Sequence, residues 1–141
     1  MNQVLSILTG KQVDSSVIDR GYCGNSQQYA GCFVKTDKVY SICNGVVLAA
    51  EKDPKNDTYS VTVEVDSQCW VRYCYLSQAN VSAGAYLKLG DLVGYSTKNL
   101  TRLEYCTAKE SQFPVRILSR QLYKHDPTPI IFGKVNAFGV S

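Results

Sequence analysis

The sequence predicts a mainly β fold: a compact antiparallel barrel-sandwich with a short N-terminal segment and an extended C-terminal arm. Three observations carry this. The run YSVTVEVD, residues 59–66, alternates apolar and polar side chains with the period of a half-buried strand. The runs VYSICNGVVLAA and CWVRYCYL are rich in β-branched and aromatic residues and are bounded by polar turns. Pro114, Pro127 and Pro129 punctuate the last stretch, where proline disfavours a helix or a central strand.

Taken in order, residues 1–26 form a mixed segment. VLSILTGKQVDSSVIDR can hold one short helix, with Asp14 or Ser15 as a cap, and GYCGNS then breaks it. Residues 27–112 read as β throughout. Asn44-Gly45 marks a turn or bulge, EKDPKND a polar hairpin loop, and Ser67-Gln68 a turn before the next strand. In YSVTVEVD, Val61, Val63 and Val65 share one face, with Thr62 and Glu64 on the other. The glycine-punctuated stretch 81–96 closes a compact antiparallel domain. Residues 113–141 are the extended arm, ending in apolar residues.

Bulk properties exclude several classes. The 141 residues suit one domain, and 45% hydrophobic with 19% charged residues describes a globular chain. A net charge of +3, with the basic residues scattered, gives no footprint for nucleic acid. MNQVLSILTGKQ lacks a positive n-region and its apolar run is broken, so no signal peptide is expected. No run approaches the ~20 apolar residues of a membrane span. Asn56-Asp-Thr, Asn80-Val-Ser and Asn99-Leu-Thr match the glycosylation triplet and read as surface turns. The six cysteines include no Cys-x-x-Cys pair and there is one histidine, which argues against a zinc finger or ribbon. They read as small buried thiols or, after release into an oxidising environment, as one or two disulfides with Cys23 and Cys32 the favoured pair.

The succession VYSICNGVV, YSVTVEV, WVRYCYLS, VSAGAYLKLGDLVGYS and TRLEYC resembles the core of the lysostaphin-type zinc metallopeptidases, over roughly residues 27–107. The most specific part is the Leu-Ser turn followed by Val81, Gly84, Leu89-Gly90-Asp91 and Val93-Gly94. The resemblance implies a barrel-like β-fold of the duplicated-hybrid-motif kind that cleaves peptidoglycan cross-bridges. Its zinc would be held by a His and an Asp four residues apart and by the second His of a His-x-His strand. A further His precedes the Leu-Ser turn, and the metal lowers the pKa of a bound water. Biotinyl and lipoyl carriers share the weaker glycine pattern, but they need an exposed lysine at a hairpin tip, and Lys88 reads as lying in a strand.

Carried over residue by residue, the resemblance finds the ligands replaced. YAGCF puts Tyr29 and Phe33 at the first pair of positions, RLEYC puts Arg102 and Glu104 at the second, and the turn offers Tyr75. Only Glu104 is able to ligate zinc. The expectation is a former zinc site with no metal, no cofactor and no catalytic residue. Arg102 and Glu104 would form an exposed ion pair on one strand face, and Tyr29, Tyr73 and Tyr75 would line the former cleft. His125 stands alone in YKHDP, and nothing in the spacing supports a Cys-His pair with Cys74 or Cys106.

An arm with proline-fixed backbone and apolar Ile130-Ile131-Phe132 cannot bury those groups by itself. Tyr123, Pro127, Pro129, Ile130, Ile131 and Phe132 are therefore expected to bind a partner. Inactivated domains of the family occur in bacteriophage tails and baseplates. The resemblance thus implies a non-catalytic virion component, made in the host cytoplasm, whose partners are other tail or baseplate proteins. The alternative is a peptidoglycan hydrolase or cell-wall-binding module of a phage particle.

Overall fold

A computed structural model describes residues 3–24, 31–66, 69–108 and 122–125. It contains one helix, α1 (Gln3–Thr9), and a 3-10 turn at Ser15–Val17. Ten strands follow: β1 (Ile18–Gly24), β2 (Gly31–Lys35), β3 (Lys38–Tyr40), β4 (Gly45–Asp53), β5 (Thr58–Asp66), β6 (Cys69–Ala79), β7 (Tyr86–Leu87), β8 (Leu92–Ser96), β9 (Leu100–Ala108) and β10 (Leu122–His125). All pair antiparallel in one sheet of order β1-β2-β9-β6-β5-β4-β7, with β3 and β8 joined to β6 and β10 joined to β9. The mainly β class is thus what the structure shows. The sheet stays open where a barrel was expected: among the described residues, β7 spans two residues and pairs only with β4, and β1 pairs only with β2.

The strands form where the pattern says. Val61 and Val63 are buried and Val65 packs against the core. The β4–β5 hairpin turns through the polar EKDPKND loop. There the Asp53 carboxylate accepts the Lys55 backbone N–H at 2.8 Å and Asp57 takes the left-handed conformation at φ 60°. Gly45 is required by close approach, since a Cβ there would lie 2.2 Å from the Glu64 carbonyl oxygen.

The N-terminal residues join the same core. Val4, Leu5 and Leu8, spaced to share one helix face, pack with Ile18, Val39, Val47, Tyr73 and Leu103. Seven residues are too few for a helix to persist in water on its own, so burial holds α1 in place. It ends at Gly10, φ +70°. The expected cap at Asp14 belongs to the 3-10 turn rather than to α1. Its carboxylate accepts the Ser16 N–H at 2.9 Å, which holds it below the usual carboxylate range. Gly21 to Gly24, expected to break the chain, run within β1.

Part of the stretch read as an arm, Leu122–His125, forms β10 on the chain's own sheet, with His125 opposite Tyr105. β6 pairs with Arg102–Thr107 on one edge of β9, so β2 and β10 share the other edge end to end. Pro114, Pro127, Pro129, Ile130, Ile131 and Phe132 lie outside the described residues.

Candidate functional site

The site is set by a change of partner along β6. Residues Cys69 to Cys74 pair with β9, whereas Leu76, Gln78 and Ala79 pair with β8. Between them the register with β5 slips: Tyr59 faces Leu76 while Val61 faces Tyr73, so β6 carries one extra residue, a bulge. Tyr75 sits in it with φ 68°, a left-handed conformation that an aromatic side chain adopts only under constraint.

Across the sheet the paired positions form two faces. Cys32, Leu103, Tyr73 and Val61 make one row, all buried in the core. Phe33, Arg102 and Cys74 form the adjacent row on the opposite face, and Glu104 pairs with Arg72 two residues along. Phe33, Arg72, Cys74, Tyr75, Arg102 and Glu104 line a cleft of about 280 Å3, completed by Asp53, Asn56, Thr58, Tyr59 and Ser60 of the β4–β5 hairpin.

Glu104 is the charged centre of this cleft. Its Oε2 lies 3.2 Å from Arg102 Nη2 and its Oε1 lies 3.4 Å from Arg72 Nη1, with only 3% of its side chain exposed. The expectation of an exposed Arg102–Glu104 pair is thereby corrected. The strand pairing brings Arg72 across from Glu104, and one carboxylate holds two guanidinium groups against the sheet. Arg102 also stands over the Phe33 ring, 5.8 Å from its centroid, and Tyr75 meets Phe33 edge-on with centroids 5.8 Å apart.

Four of the five expected former zinc-site positions, Phe33, Tyr75, Arg102 and Glu104, therefore converge; the fifth, Tyr29, lies outside the described residues. Tyr73 does not join them. It is fully buried on the core face, where its hydroxyl accepts the Ile42 backbone N–H at 2.9 Å and lies 3.4 Å from Ser41 Oγ. Burial pushes its phenol well above the ordinary range and raises the neighbouring Cys43 thiol. Arg72 was missed from the sequence, although WVRYCY places it two residues from Cys74, on the same strand face.

A catalytic zinc does not fit this donor set. Phe33 offers only carbon, Arg102 is a cation, and both oxygens of Glu104 face guanidinium groups. Among the described residues, no three His, Cys, Asp or Glu side chains stand close enough to hold a metal ion. Lys88 is corrected as well: it opens an exposed turn, where its N–H donates to Asp91 Oδ2 at 2.9 Å, instead of lying in a strand. The flanking strands β7 and β8 pair with different neighbours, so Lys88 is not the tip of a carrier hairpin.

The model of peptidase family M23 matches residues 28–116, well over half of the chain. No curated protein sequence matches it. Among solved structures, LytU is 18% identical with a TM-score of 0.61, covering 81% of this chain and 83% of that one. The antimicrobial peptidase lysostaphin from Staphylococcus simulans is 20% identical, with a TM-score of 0.58 over 82% of this chain and 50% of that one. This chain thus spans about half the length of lysostaphin. A catalytic-domain variant of EnpA, a prophage-encoded M23 protein from Enterococcus faecalis, is 16% identical, with a TM-score of 0.54 over 74% of this chain and 81% of that one. At such identities the likeness is one of fold. The chain belongs to peptidase family M23.

Proposed function

We propose that this member of peptidase family M23 is a non-catalytic structural component of a bacteriophage tail or baseplate, holding neighbouring subunits through its C-terminal residues. The observation that carries the reading is the cleft itself, where Phe33 and an ion-paired Glu104 stand at positions that the resemblance assigns to zinc ligands, and Arg102 stands at that of the first histidine of the His-x-His strand. A fold outlives its chemistry when the scaffold serves another purpose. The phage context draws support from EnpA, which is prophage-encoded. The partners are then other tail or baseplate proteins and the location is the virion, after synthesis in the host cytoplasm.

A second reading, a cell-wall-binding module, is favoured by the cleft's aromatic and hydroxyl lining, Tyr59, Tyr75, Thr58 and Ser60. Elemental analysis and clearing of purified cell walls test the main reading together. The expected result is no stoichiometric zinc and no clearing. Tight zinc at one per chain, lost with Glu104→Ala, together with clearing of the walls, would sink it.

A further inference from the structure

We infer that Asn44 is a latent self-modification site, at which the Gly45 nitrogen closes on the side-chain amide and leaves an aspartyl or isoaspartyl link. No other asparagine of the chain is followed by glycine. Glycine has no Cβ to obstruct its own nitrogen, so an Asn-Gly pair cyclises far more readily than one with a bulkier second residue. In the reaction the Gly45 nitrogen forms a bond to Asn44 Cγ, and the Cγ–Nδ2 bond breaks as ammonia leaves with the proton. Water then opens the cyclic imide to aspartate, or to isoaspartate with the chain routed through Cγ.

Asn44 is exposed, but the fold withholds both reacting groups. The side-chain oxygen accepts the Leu89 N–H at 2.7 Å, which pins the amide to the turn that follows β7. Ser41 ties that turn down: its carbonyl accepts the Gly90 N–H at 2.7 Å and its N–H donates to the Asp91 carbonyl at 2.8 Å. Gly45 is buried opposite Leu87 in the β4–β7 ladder. Two residues further on, the Val47 N–H donates to the Ala85 carbonyl at 2.8 Å, so the antiparallel alternation engages the Gly45 N–H in the same way. Both restraints come from β7 and its turn, and among the described residues β7 spans two residues and pairs only with β4. A short edge strand opens well below the free energy of global unfolding. Opening of residues 86–91 frees the amide and the nitrogen together. The isoaspartyl product lengthens the backbone just before Gly45, where a Cβ already has no room beside the Glu64 carbonyl. Reclosure is then obstructed, and the buried Leu87 and Val47 lose their cover.

The test incubates the full chain at mildly alkaline pH, folded and in strong urea, and measures aspartate and isoaspartate at position 44 by peptide mass spectrometry. In urea Asn44 is expected to convert ahead of Asn56, Asn80 and Asn99. In the folded protein its conversion should be at least about tenfold slower than in urea, a ratio that a modest opening free energy supplies. Leu89→Pro tests the latch. The Asp91 N–H donates to the Lys88 carbonyl at 2.9 Å and Gly90 has φ +88°, the type II turn pattern, which favours proline at its second position. The substitution therefore removes the Leu89 N–H and keeps the turn. It should speed conversion in the folded protein several-fold and leave the rate in urea unchanged, with thermal unfolding confirming the fold. Equal rates folded and in urea, or a folded Leu89→Pro protein that converts no faster, overturn the inference. Should that variant unfold, low urea on the natural chain decides. Conversion must rise in step with hydrogen exchange at the Leu87 amide, and conversion that stays flat while exchange rises overturns the inference.

Discussion

Tyr73 and Tyr75 stand two residues apart on one strand and face opposite sides of the sheet. Strand periodicity would put them on the same side. The extra residue in β6 breaks the phase, so that Tyr73 and Leu76 both enter the core while Cys74 and Tyr75 line the cleft. The bulge lets β6 leave β9 for β8 and turns an aromatic ring onto Phe33. The local cost is the left-handed backbone at Tyr75, of order 1–3 kcal/mol.

Substitution at Tyr75 should reveal that cost. Tyr75→Gly relieves the backbone at φ 68° but loses the Phe33 ring contact, itself worth about 0.5–1.5 kcal/mol. The two effects oppose, and the expected stability change is within about 1 kcal/mol. Tyr75→Val loses the ring and puts a β-branched residue in the same conformation, for an expected loss of about 2 kcal/mol or more. Chemical unfolding of both variants checks this, and equal losses would show that the backbone is not strained.

Removing Glu104 should be expensive. Two guanidinium groups on the floor of a cleft would lose the carboxylate between them. Breaking a buried ion pair from one side typically costs about 3–5 kcal/mol. Partial exposure of the arginines places Glu104→Ala near the lower end, about 3 kcal/mol. A double-mutant cycle with Arg72→Ala should show that the two losses do not add. Additive losses would mean that Arg72 and Glu104 do not interact.

Alkaline pH should destabilise the fold through Tyr73 and Cys43. Burial raises both groups above their ordinary values of 10.0 and 9.0. In the unfolded chain they ionise first, so above those values the native state binds more protons. Stability then falls with rising pH, by up to about 1.36 kcal/mol per pH unit for each group. Below about pH 9 the effect is absent. Urea unfolding near neutrality and at about pH 10 should show this fall, and Cys43→Ala should reduce it. Tyr73→Phe should reduce it too. At neutral pH that variant should cost about 1–3 kcal/mol, because the buried Ile42 N–H loses its acceptor.

The class of the fold was legible because it rests on local patterns: alternation in β5, β-branched runs in β4 and β6, and polar turn residues around Asp53 and Asp57. The convergence of Phe33, Tyr75, Arg102 and Glu104 was legible only through resemblance, since it joins three strands distant in sequence. Two features were not. The burial of Glu104 depends on Arg72 arriving from the neighbouring strand, and no spacing within one strand reveals a cross-strand partner. The phase slip at Tyr75 is a bulge, which adds a residue without any glycine or proline to announce it. Lys88 was misread for a related reason. A short apolar stretch resembles a strand until Asp91 closes it into a turn.

The N-terminal helix gives the last test. The sequence sets residues 1–26 off as a mixed segment ahead of the β-domain. In the structure Leu5 and Leu8 are fully buried, and Val4 is nearly so, in the cluster that contains Tyr73 and Leu103. A seven-residue helix contributes little by its own hydrogen bonds, so what it adds is side-chain burial, about 1.5–3 kcal/mol for each large residue. Leu5→Ala removes part of that and leaves a cavity walled by strands that cannot collapse around it, for an expected loss of about 2–5 kcal/mol. Against a total stability of about 5–15 kcal/mol that is a large fraction. Gln3→Ala, on the exposed side of the same helix, should change stability by less than about 0.5 kcal/mol. Thermal unfolding of the two variants decides the matter: similar melting temperatures for both would mean that α1 is not part of the core, and that the β-sheet stands without it.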